Sequence, residues 1–200
     1  MTTPYRPTLI IIAGPNGSGK TSVTSKLLKH EWTEDAIYIN PDIIAQELFG
    51  DWNSKESVLK AVKYSKTLRE KCLKEHKSLI FETVLSATDK IDYIKRAKQE
   101  GFFVRLFFVG TENPTINAAR VAKRVMQGGH SVPIDKIISR YYKSISNCVA
   151  VASFVDRTYV YDNSIDDQQA RILFRMKDGK LFKRYGDDLP LWTKKAFDLD

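Results

Sequence analysis

The sequence predicts an α/β fold in which a mostly parallel β-sheet lies between layers of helices. Short apolar segments that end at glycine or polar residues alternate with longer amphipathic segments over most of the chain. Alternation of this kind places parallel strands in one sheet with helices on both of its faces. A chain of 200 residues, 42% of them hydrophobic and 28% charged, can bury the core that such a sheet requires.

The strands are predicted from short runs of apolar and branched residues. Residues 9–13 form an uninterrupted apolar run that stops at Gly14, which is typical of a buried strand. The segment 102–109 is rich in aromatic and branched residues, which favour strands. Shorter runs predict further strands at residues 36–39, 79–81 and 158–161.

The helices are predicted from apolar periodicity and from residues that begin or end helices. A long amphipathic helix is predicted for 54–76, with Ser54 as its cap and one apolar face made of Val58, Ala61, Val62, Ser65, Leu68 and Cys72. Gly101 ends a helix that covers 88–100, and Asn113-Pro114 begins one that Gly128-Gly129 ends. Helical segments are also predicted at 21–30, 41–49 and 134–152.

The C-terminal part of the chain has a different pattern. Residues 171–185 alternate apolar and polar side chains around Asp178-Gly179, a pair that favours a tight hairpin turn. We therefore predict a main domain over residues 1–164, and an antiparallel hairpin appendage over residues 165–200 that packs on the same domain.

Charge and composition restrict the classes of possible binding partner but do not identify one. The net charge of +8 suits an anionic partner, whether a nucleotide, a sugar nucleotide or a nucleic acid. The lysines look scattered, with local density only at 54–76, which predicts a solvated helix face. No apolar run is long enough to cross a membrane and no signal segment is visible, so a cytoplasmic protein without a membrane partner is expected. Cys72 and Cys148 lack metal-site spacing and are predicted to be buried thiols.

A phosphate-binding motif follows the first predicted strand and opens the first predicted helix. It matches the pattern G-x-x-x-x-G-K-[ST] of a P-loop in full. Glycines let successive backbone N–H groups point inward, and the following helix adds the positive end of its dipole. The motif predicts binding of ATP with Mg²⁺ within a P-loop NTPase fold, through Gly14, Pro15, Asn16, Gly17, Ser18, Gly19, Lys20 and Thr21. Lys20 is predicted to reach the β- and γ-phosphates, and the Thr21 hydroxyl to ligate the metal.

Two further polar segments follow the second and third predicted strands, at the edge where α/β sheets bind ligands. Asp42 is placed to act as the base for an acceptor hydroxyl, and a helix-capping role is the alternative. Glu82 and Thr83 are placed to contact the acceptor, and a strand-end hydrogen bond is the alternative for Glu82.

Basic residues near a glycine-rich connection predict a mobile lid. Arg120 and Arg124 are four residues apart and share a helix face, and Arg140 lies on the next helix. Between these helices runs the segment 127–133, which contains His130. Arginines in a lid supply the positive charge that phosphoryl transfer requires, although each arginine could instead be solvated surface and His130 a loop residue without a ligand.

Together these segments resemble the zeta toxin family of P-loop kinases. The matching segments are 13–21, 39–45, 81–86 with Glu82-Thr83, and Arg120 to Tyr141 with Gly128-Gly129-His130-x-Val132-Pro133. Val84 stands where the family often has a second threonine, and Ile138-Ser139 where it is often basic.

The resemblance implies that ATP phosphorylates a hydroxyl of a small molecule, in toxin members that of UDP-N-acetylglucosamine. It implies that Lys20 and Thr21 hold phosphate and Mg²⁺, that Asp42 is the base, and that Glu82 and Thr83 contact the acceptor. Arg120, Arg124 and Arg140 would clamp phosphates. Any antitoxin would be a separate protein. Two alternatives remain open at this point: a polynucleotide 5′-hydroxyl kinase, and an ATP-binding partner protein without turnover.

Overall fold

A computed structural model describes residues 6–199, apart from the side chain of Trp32. Its strands are β1 (Thr8–Ala13), β2 (Ile37–Ile39), β3 (Leu79–Thr83), β4 (Phe103–Gly110), β5 (Arg157–Asp162), β6 (Arg171–Lys177) and β7 (Lys180–Arg184). Its α-helices are α1 (Lys20–Leu27), α2 (Pro41–Phe49), α3 (Lys55–Lys74), α4 (Thr88–Gln99), α5 (Pro114–Met126), α6 (Ile134–Ala152) and α7 (Leu191–Phe197).

All seven strands form one sheet in the order β2-β3-β1-β4-β5-β6-β7. The pairs among β1 to β5 are parallel, and β5-β6 and β6-β7 are antiparallel. β1 lies at the centre of the parallel part, and its residues from Leu9 to Ala13 are fully buried because packed side chains cover both faces. The predicted α/β fold with a mostly parallel sheet is confirmed.

The C-terminal hairpin continues the main sheet. Asp178 and Gly179 both have positive φ, 50° and 79°, which is the geometry that the predicted tight turn requires. A Cβ atom on Gly179 would lie 2.5 Å from the carbonyl oxygen of Ser153, so glycine also allows the turn to approach the end of α6. The boundary at residue 164 stays a prediction.

The prediction for residues 165–200 omitted a helix. After the hairpin, α7 brings Trp192 back to the parallel strands, where its ring lies 6.1 Å from that of Phe108. A Cβ atom on Gly110 would lie 2.4 Å from the Trp192 ring, so only glycine leaves room for it at the end of β4.

The buried face of α3 differs in part from the predicted face. Val62 is 47% exposed, whereas Arg69 is buried. The guanidinium of Arg69 lies 5.2 Å from the ring centre of Phe81 and 5.6 Å from that of Tyr93, and such cation–π contacts let a charged group replace an apolar one. Cys72 is buried, as predicted, and burial raises the pKa of its thiol.

Two further expectations concern the second cysteine and membrane-spanning helices. Cys148 is buried in α6, which also raises the pKa of its thiol. None of the helices found within residues 6–199 has the length and apolar character needed to span a membrane.

Candidate active site

The P-loop connects β1 to α1 and depends on three glycines. Gly14, Gly17 and Gly19 have φ values of 153°, 75° and 83°, a region that side chains disfavour. A Cβ atom on Gly17 would lie 2.5 Å from the carbonyl oxygen of Asn117. One on Gly19 would lie 2.1 Å from the amide nitrogen of Asn163. The glycines therefore provide both the backbone conformation and the room for neighbouring asparagines.

Those two asparagines support the P-loop from outside it. The side-chain amide of Asn117, on α5, donates to the carbonyl oxygen of Asn16 at 2.7 Å. The side-chain amide of Asn163 donates to the carbonyl oxygen of Ser18 at 2.9 Å. Sequence reasoning missed both residues. Asn163 directly follows β5, so the rule that strand ends carry site residues could have identified it.

Lys20 lies inside the loop with a lowered pKa. Its ammonium group donates to the carbonyl oxygens of Gly14 at 2.8 Å and of Pro15 at 3.0 Å. Burial lowers its pKa, the carboxylates of Glu82 and Asp42 oppose this, and the Arg124 guanidinium lowers it further. Among the described residues no carboxylate forms an ion pair with Lys20. A partly buried ammonium bonded only to neutral carbonyls fits an anionic ligand such as a phosphate.

Glu82 joins three elements beside the loop. Its Oε1 accepts hydrogen bonds from Thr24 Oγ1 at 2.7 Å and from Tyr38 Oη at 2.6 Å. The amide of Asn40 in turn donates to Tyr38 Oη at 3.1 Å. Burial, with Glu82 as the hydrogen-bond acceptor, raises the pKa of Tyr38 well above its usual value. The strand-end hydrogen bond considered for Glu82 is present, and it fixes the carboxylate between α1, β2 and β3.

Sequence reasoning did not identify Thr24 or Tyr38 as site residues. Thr24 follows the P-loop motif by three positions and looks like an ordinary helix residue. Tyr38 looks like a strand aromatic. Only the parallel pairing of β2 with β3 brings Tyr38 beside the strand that carries Glu82.

Asp42 lies in the first turn of α2 but does not cap that helix. Asn40 is the cap, because its Oδ1 accepts hydrogen bonds from the backbone N–H groups of Asp42 at 2.9 Å and Ile43 at 3.4 Å. The Asp42 carboxylate is exposed and has no hydrogen-bond donor among residues 6–199. The capping role weighed for Asp42 therefore belongs to Asn40, and the Asp42 carboxylate stays available to a ligand.

Thr83 stabilises the turn that follows β3. Its Oγ1 accepts a hydrogen bond from the backbone N–H of Leu85 at 3.0 Å. Leu85 has a φ of 57°, and Asn147 on α6 donates to its carbonyl oxygen at 2.8 Å. The turn is therefore held from two sides, and its role in contacting an acceptor stays a prediction.

The lid arginines are held by neutral and acidic partners. Arg120 donates through Nε to Asp166 Oδ1 at 2.7 Å and through Nη1 to the carbonyl oxygen of Asn163 at 2.7 Å. Arg124 donates to the carbonyl oxygen of His130 at 2.9 Å. Both arginines line one open cavity, with Lys123, Gln127, Asp166 and Asp167. Their role in binding phosphate stays a prediction.

The glycine-rich connection lies across from the α2–α3 connection. The Ser131 backbone N–H donates to Asn53 Oδ1 at 3.3 Å. The Nδ1 atom of His130 is buried, without a hydrogen-bond partner in the described chain. Arg140 is half-buried on α6, and no hydrogen bond ties its side chain to the described residues. The structure thus groups Arg124 with His130 and leaves the role of Arg140 as a prediction.

The family follows from comparison with known proteins. The family model "Zeta toxin" matches residues 1–174. The chain belongs to the zeta toxin family. This zeta toxin family chain is also 33% identical over 134 residues to an uncharacterized protein of Haemophilus influenzae, an alignment that covers 66% of this chain and 91% of that one.

Solved structures share the fold of this zeta toxin family chain. One is a chain of the PezAT chromosomal toxin–antitoxin system of Streptococcus pneumoniae, with a TM-score of 0.59 and 17% identity over 84% of this chain and 72% of that one. Another is a chain of the AvrRxo1-ORF1:AvrRxo1-ORF2 complex with ATP, with a TM-score of 0.62 and 20% identity. The match covers 90% of this chain and 61% of that one. Family membership supports a kinase-like, nucleotide-binding protein, and these structures show its P-loop fold.

Proposed function

We propose that this protein is an ATP-dependent kinase that phosphorylates a hydroxyl of a small molecule, with a sugar nucleotide such as UDP-N-acetylglucosamine as the leading acceptor. The observation that carries the proposal is the arrangement around Lys20. A partly buried ammonium without an ion pair among residues 6–199 lies within the electrostatic influence of Glu82, Asp42 and Arg124. Phosphoryl transfer requires this combination of phosphate-binding cations and a nearby carboxylate.

The P-loop would hold ATP, which supplies the phosphoryl group. Its backbone N–H groups and the N-terminus of α1 face a common anion, and Lys20 exchanges its two carbonyl partners for phosphate oxygens. Thr21 is exposed in the first turn of α1, and its hydroxyl would be the protein ligand of Mg²⁺.

The acceptor would lie between Asp42 and Glu82. The Asp42 carboxylate has no donor within the described chain, so it can accept the proton of the hydroxyl that is phosphorylated. Glu82 already accepts two hydrogen bonds, so we assign it to positioning, with Thr83 and His130 as acceptor contacts. Arg120, Arg124 and Arg140 would stabilise the charge on the transferred group.

A direct test incubates the purified protein with γ-labelled ATP, Mg²⁺ and a set of acceptors. The set contains UDP-N-acetylglucosamine, other sugar nucleotides, nucleosides and an oligonucleotide with a 5′-hydroxyl. We expect label on one small molecule, none with Lys20→Ala, and a loss of at least about hundredfold with Asp42→Asn, the lower end of the general-base range. Glu47→Gln, which also removes an exposed carboxylate from α2, is the matched control and should keep full activity.

The outcomes separate the alternatives. Label on the oligonucleotide alone would replace the proposal with a polynucleotide kinase. ATP binding without label on any acceptor would replace it with an ATP-binding partner protein. Full transfer by Asp42→Asn would remove Asp42 from the role of base.

A separate antitoxin protein and a cytoplasmic site of action belong to the same proposal. The antitoxin is supported by the family and by the PezAT neighbour, which comes from a toxin–antitoxin system. Induced expression in a bacterial host should slow growth, and the Lys20→Ala variant at equal abundance should not. Equal growth with both proteins would exclude toxicity that depends on nucleotide binding.

A further inference from the structure

Four neighbouring strands of the sheet carry a strong excess of positive charge. Strands β4 to β7 contain a single acidic residue, Asp162, which is buried and accepts hydrogen bonds from Ser164 and Trp192. The basic residues of the same strands are Arg105, Arg157, Arg171, Arg175, Lys177, Lys180, Lys183 and Arg184. In the sequence these residues are spread over 80 positions, and the sheet brings them together.

Several of these cations share one face of the sheet. Arg105 is opposite Arg157, and Arg157 is opposite Lys177, so the three form a row across β4, β5 and β6. Arg175 is two residues from Lys177 on β6, and side chains two apart on a strand point to the same face. Adjacent strands are about 4.8 Å apart, so the row presents closely spaced positive charges.

Aromatic rings lie between the cations of this face. The ring of Phe103 has the guanidinium groups of Arg105 and Arg157 at 4.6 and 5.5 Å from its centre. Arg175 lies 5.9 Å from the ring centre of Tyr159 and 5.2 Å from that of Phe182. We call this surface the basic sheet face and define it as Phe103, Arg105, Arg157, Tyr159, Arg175, Lys177 and Phe182.

Three cations of this face have no acidic partner in the described part of the chain. No carboxylate within residues 6–199 pairs with Arg157, Arg175 or Lys177. Asp156, next to Arg157, is buried and already pairs with Arg6 and Lys98. Asp178, next to Lys177, is exposed in the hairpin turn and forms no ion pair among residues 6–199. Phe182 is 59% exposed on the edge strand β7. A surface with uncompensated cations and accessible planar groups fits a ligand that has both negative charge and flat rings.

We propose that the basic sheet face binds single-stranded nucleic acid. Phosphates would neutralise the cations, and bases would stack on the exposed aromatic ring and on guanidinium planes. An acidic polypeptide would use the charge but not the planar groups, which is why we favour nucleic acid. The proposal does not depend on the proposed kinase reaction, because none of these residues belongs to the candidate active site.

The test measures binding of a fluorescent single-stranded 12-nucleotide RNA by anisotropy at increasing salt. Contact with about four phosphates predicts a log–log salt slope of about −3, hence a roughly 50-fold loss of affinity between about 50 and 200 mM salt. The triple variant Arg157→Gln, Arg175→Gln, Lys177→Gln should reduce the steepness of this slope by about 2. It should also bind at least tenfold more weakly at the lower salt concentration.

A matched triple variant separates local contacts from total charge. Lys63→Gln, Lys66→Gln and Lys74→Gln remove the same charge from exposed positions of α3 and should change affinity less than twofold. Phe182→Ala should weaken binding about fivefold or more while leaving the salt slope unchanged, because stacking does not release counterions. All variants should retain the thermal midpoint and the ATP affinity of the parent protein.

Several results would overturn the proposal. Absence of RNA binding by the parent protein at low salt would exclude the site. Equal weakening by both triple variants would show that only net charge matters. Equal competition by poly-glutamate, compared per charge, together with no effect of Phe182→Ala, would assign the face to an acidic polypeptide instead.

Discussion

The hydrogen bond between Tyr38 and Glu82 allows a quantitative test of how the active-site edge is held together. Tyr38 Oη donates to Glu82 Oε1 at 2.6 Å, and a hydrogen bond to a charged acceptor contributes about 1.5–3 kcal/mol. Because Tyr38 is only partly buried, we expect Tyr38→Phe to lower the free energy of unfolding by about 1.5 kcal/mol, the low end of that range.

The partner substitution should cost somewhat more. Glu82→Gln replaces a charged acceptor by a neutral one for both Thr24 and Tyr38, at about 1 kcal/mol for each bond. It also removes a negative charge that favours the ammonium of Lys20. We therefore expect a loss of about 2 kcal/mol. Since both variants weaken one bond, the double variant should be about 1 kcal/mol more stable than the sum of the single effects predicts.

The measurement is urea unfolding of the four proteins at neutral pH, followed by circular dichroism, with equal m-values as the condition for comparison. Tyr64→Phe is the matched control, because Tyr64 is 46% exposed on α3, and its effect should stay within about 0.5 kcal/mol. Strict additivity of Tyr38→Phe and Glu82→Gln, within about 0.3 kcal/mol, would refute the reasoning that these side chains interact.

Three further predictions concern the loop, the lid and the buried phenols. Gly19→Ala combines a disfavoured φ of 83° with a 2.1 Å contact to Asn163, so calorimetry should show ATP affinity at least about 30-fold weaker. Asp166→Asn removes the ion pair between Arg120 and a side chain that is 74% exposed. Because an exposed ion pair contributes at most about 1 kcal/mol, its loss should let ATP bind up to about fivefold more tightly. Burial raises the pKa of four tyrosines, Tyr38, Tyr93, Tyr141 and Tyr161, and it raises that of Tyr161 to about 12. Ultraviolet titration of the folded protein at pH 11 should therefore leave at least four of the nine tyrosines protonated. Because the unfolded chain loses these protons first, the free energy of unfolding should fall above pH 10 by about 1.4 kcal/mol per pH unit for each such tyrosine, and a constant value up to pH 12 would contradict this.

The features that sequence predicted well are those encoded by neighbouring residues. The P-loop, the strand before it, the helix after it and the Asp178-Gly179 turn each depend on a few consecutive positions, and the structure contains all of them. Local sequence patterns were ambiguous where two nearby residues could each cap the same helix. Asn40 and Asp42 are both good helix-capping residues, and the structure assigns the cap to Asn40.

The features that sequence did not predict depend on contacts between distant segments. Thr24, Tyr38 and Glu82 meet only because β2 pairs with β3 and α1 packs beside them, and no local pattern specifies that order. The cations of β4 to β7 were not recognised as one surface for the same reason, because only the sheet brings them together. Helix α7 was missed because its short segment was interpreted as part of the hairpin appendage, whereas Trp192 contacts Asp162, 30 positions earlier.

The candidate active site and the basic sheet face lie toward opposite edges of the same sheet along the strand direction, which has a consequence for their energetics. Arg105 is opposite Ile10 on β1, and the P-loop begins four residues later at Gly14, about 13 Å further along a strand. Sites at that separation without shared partners are expected to act additively. ATP should therefore change RNA affinity less than about twofold, and RNA should change ATP affinity by the same factor, since binding free energies are reciprocally linked. A larger and equal coupling in both titrations would show that the two ligands share part of one surface, and the RNA would then reach the lid.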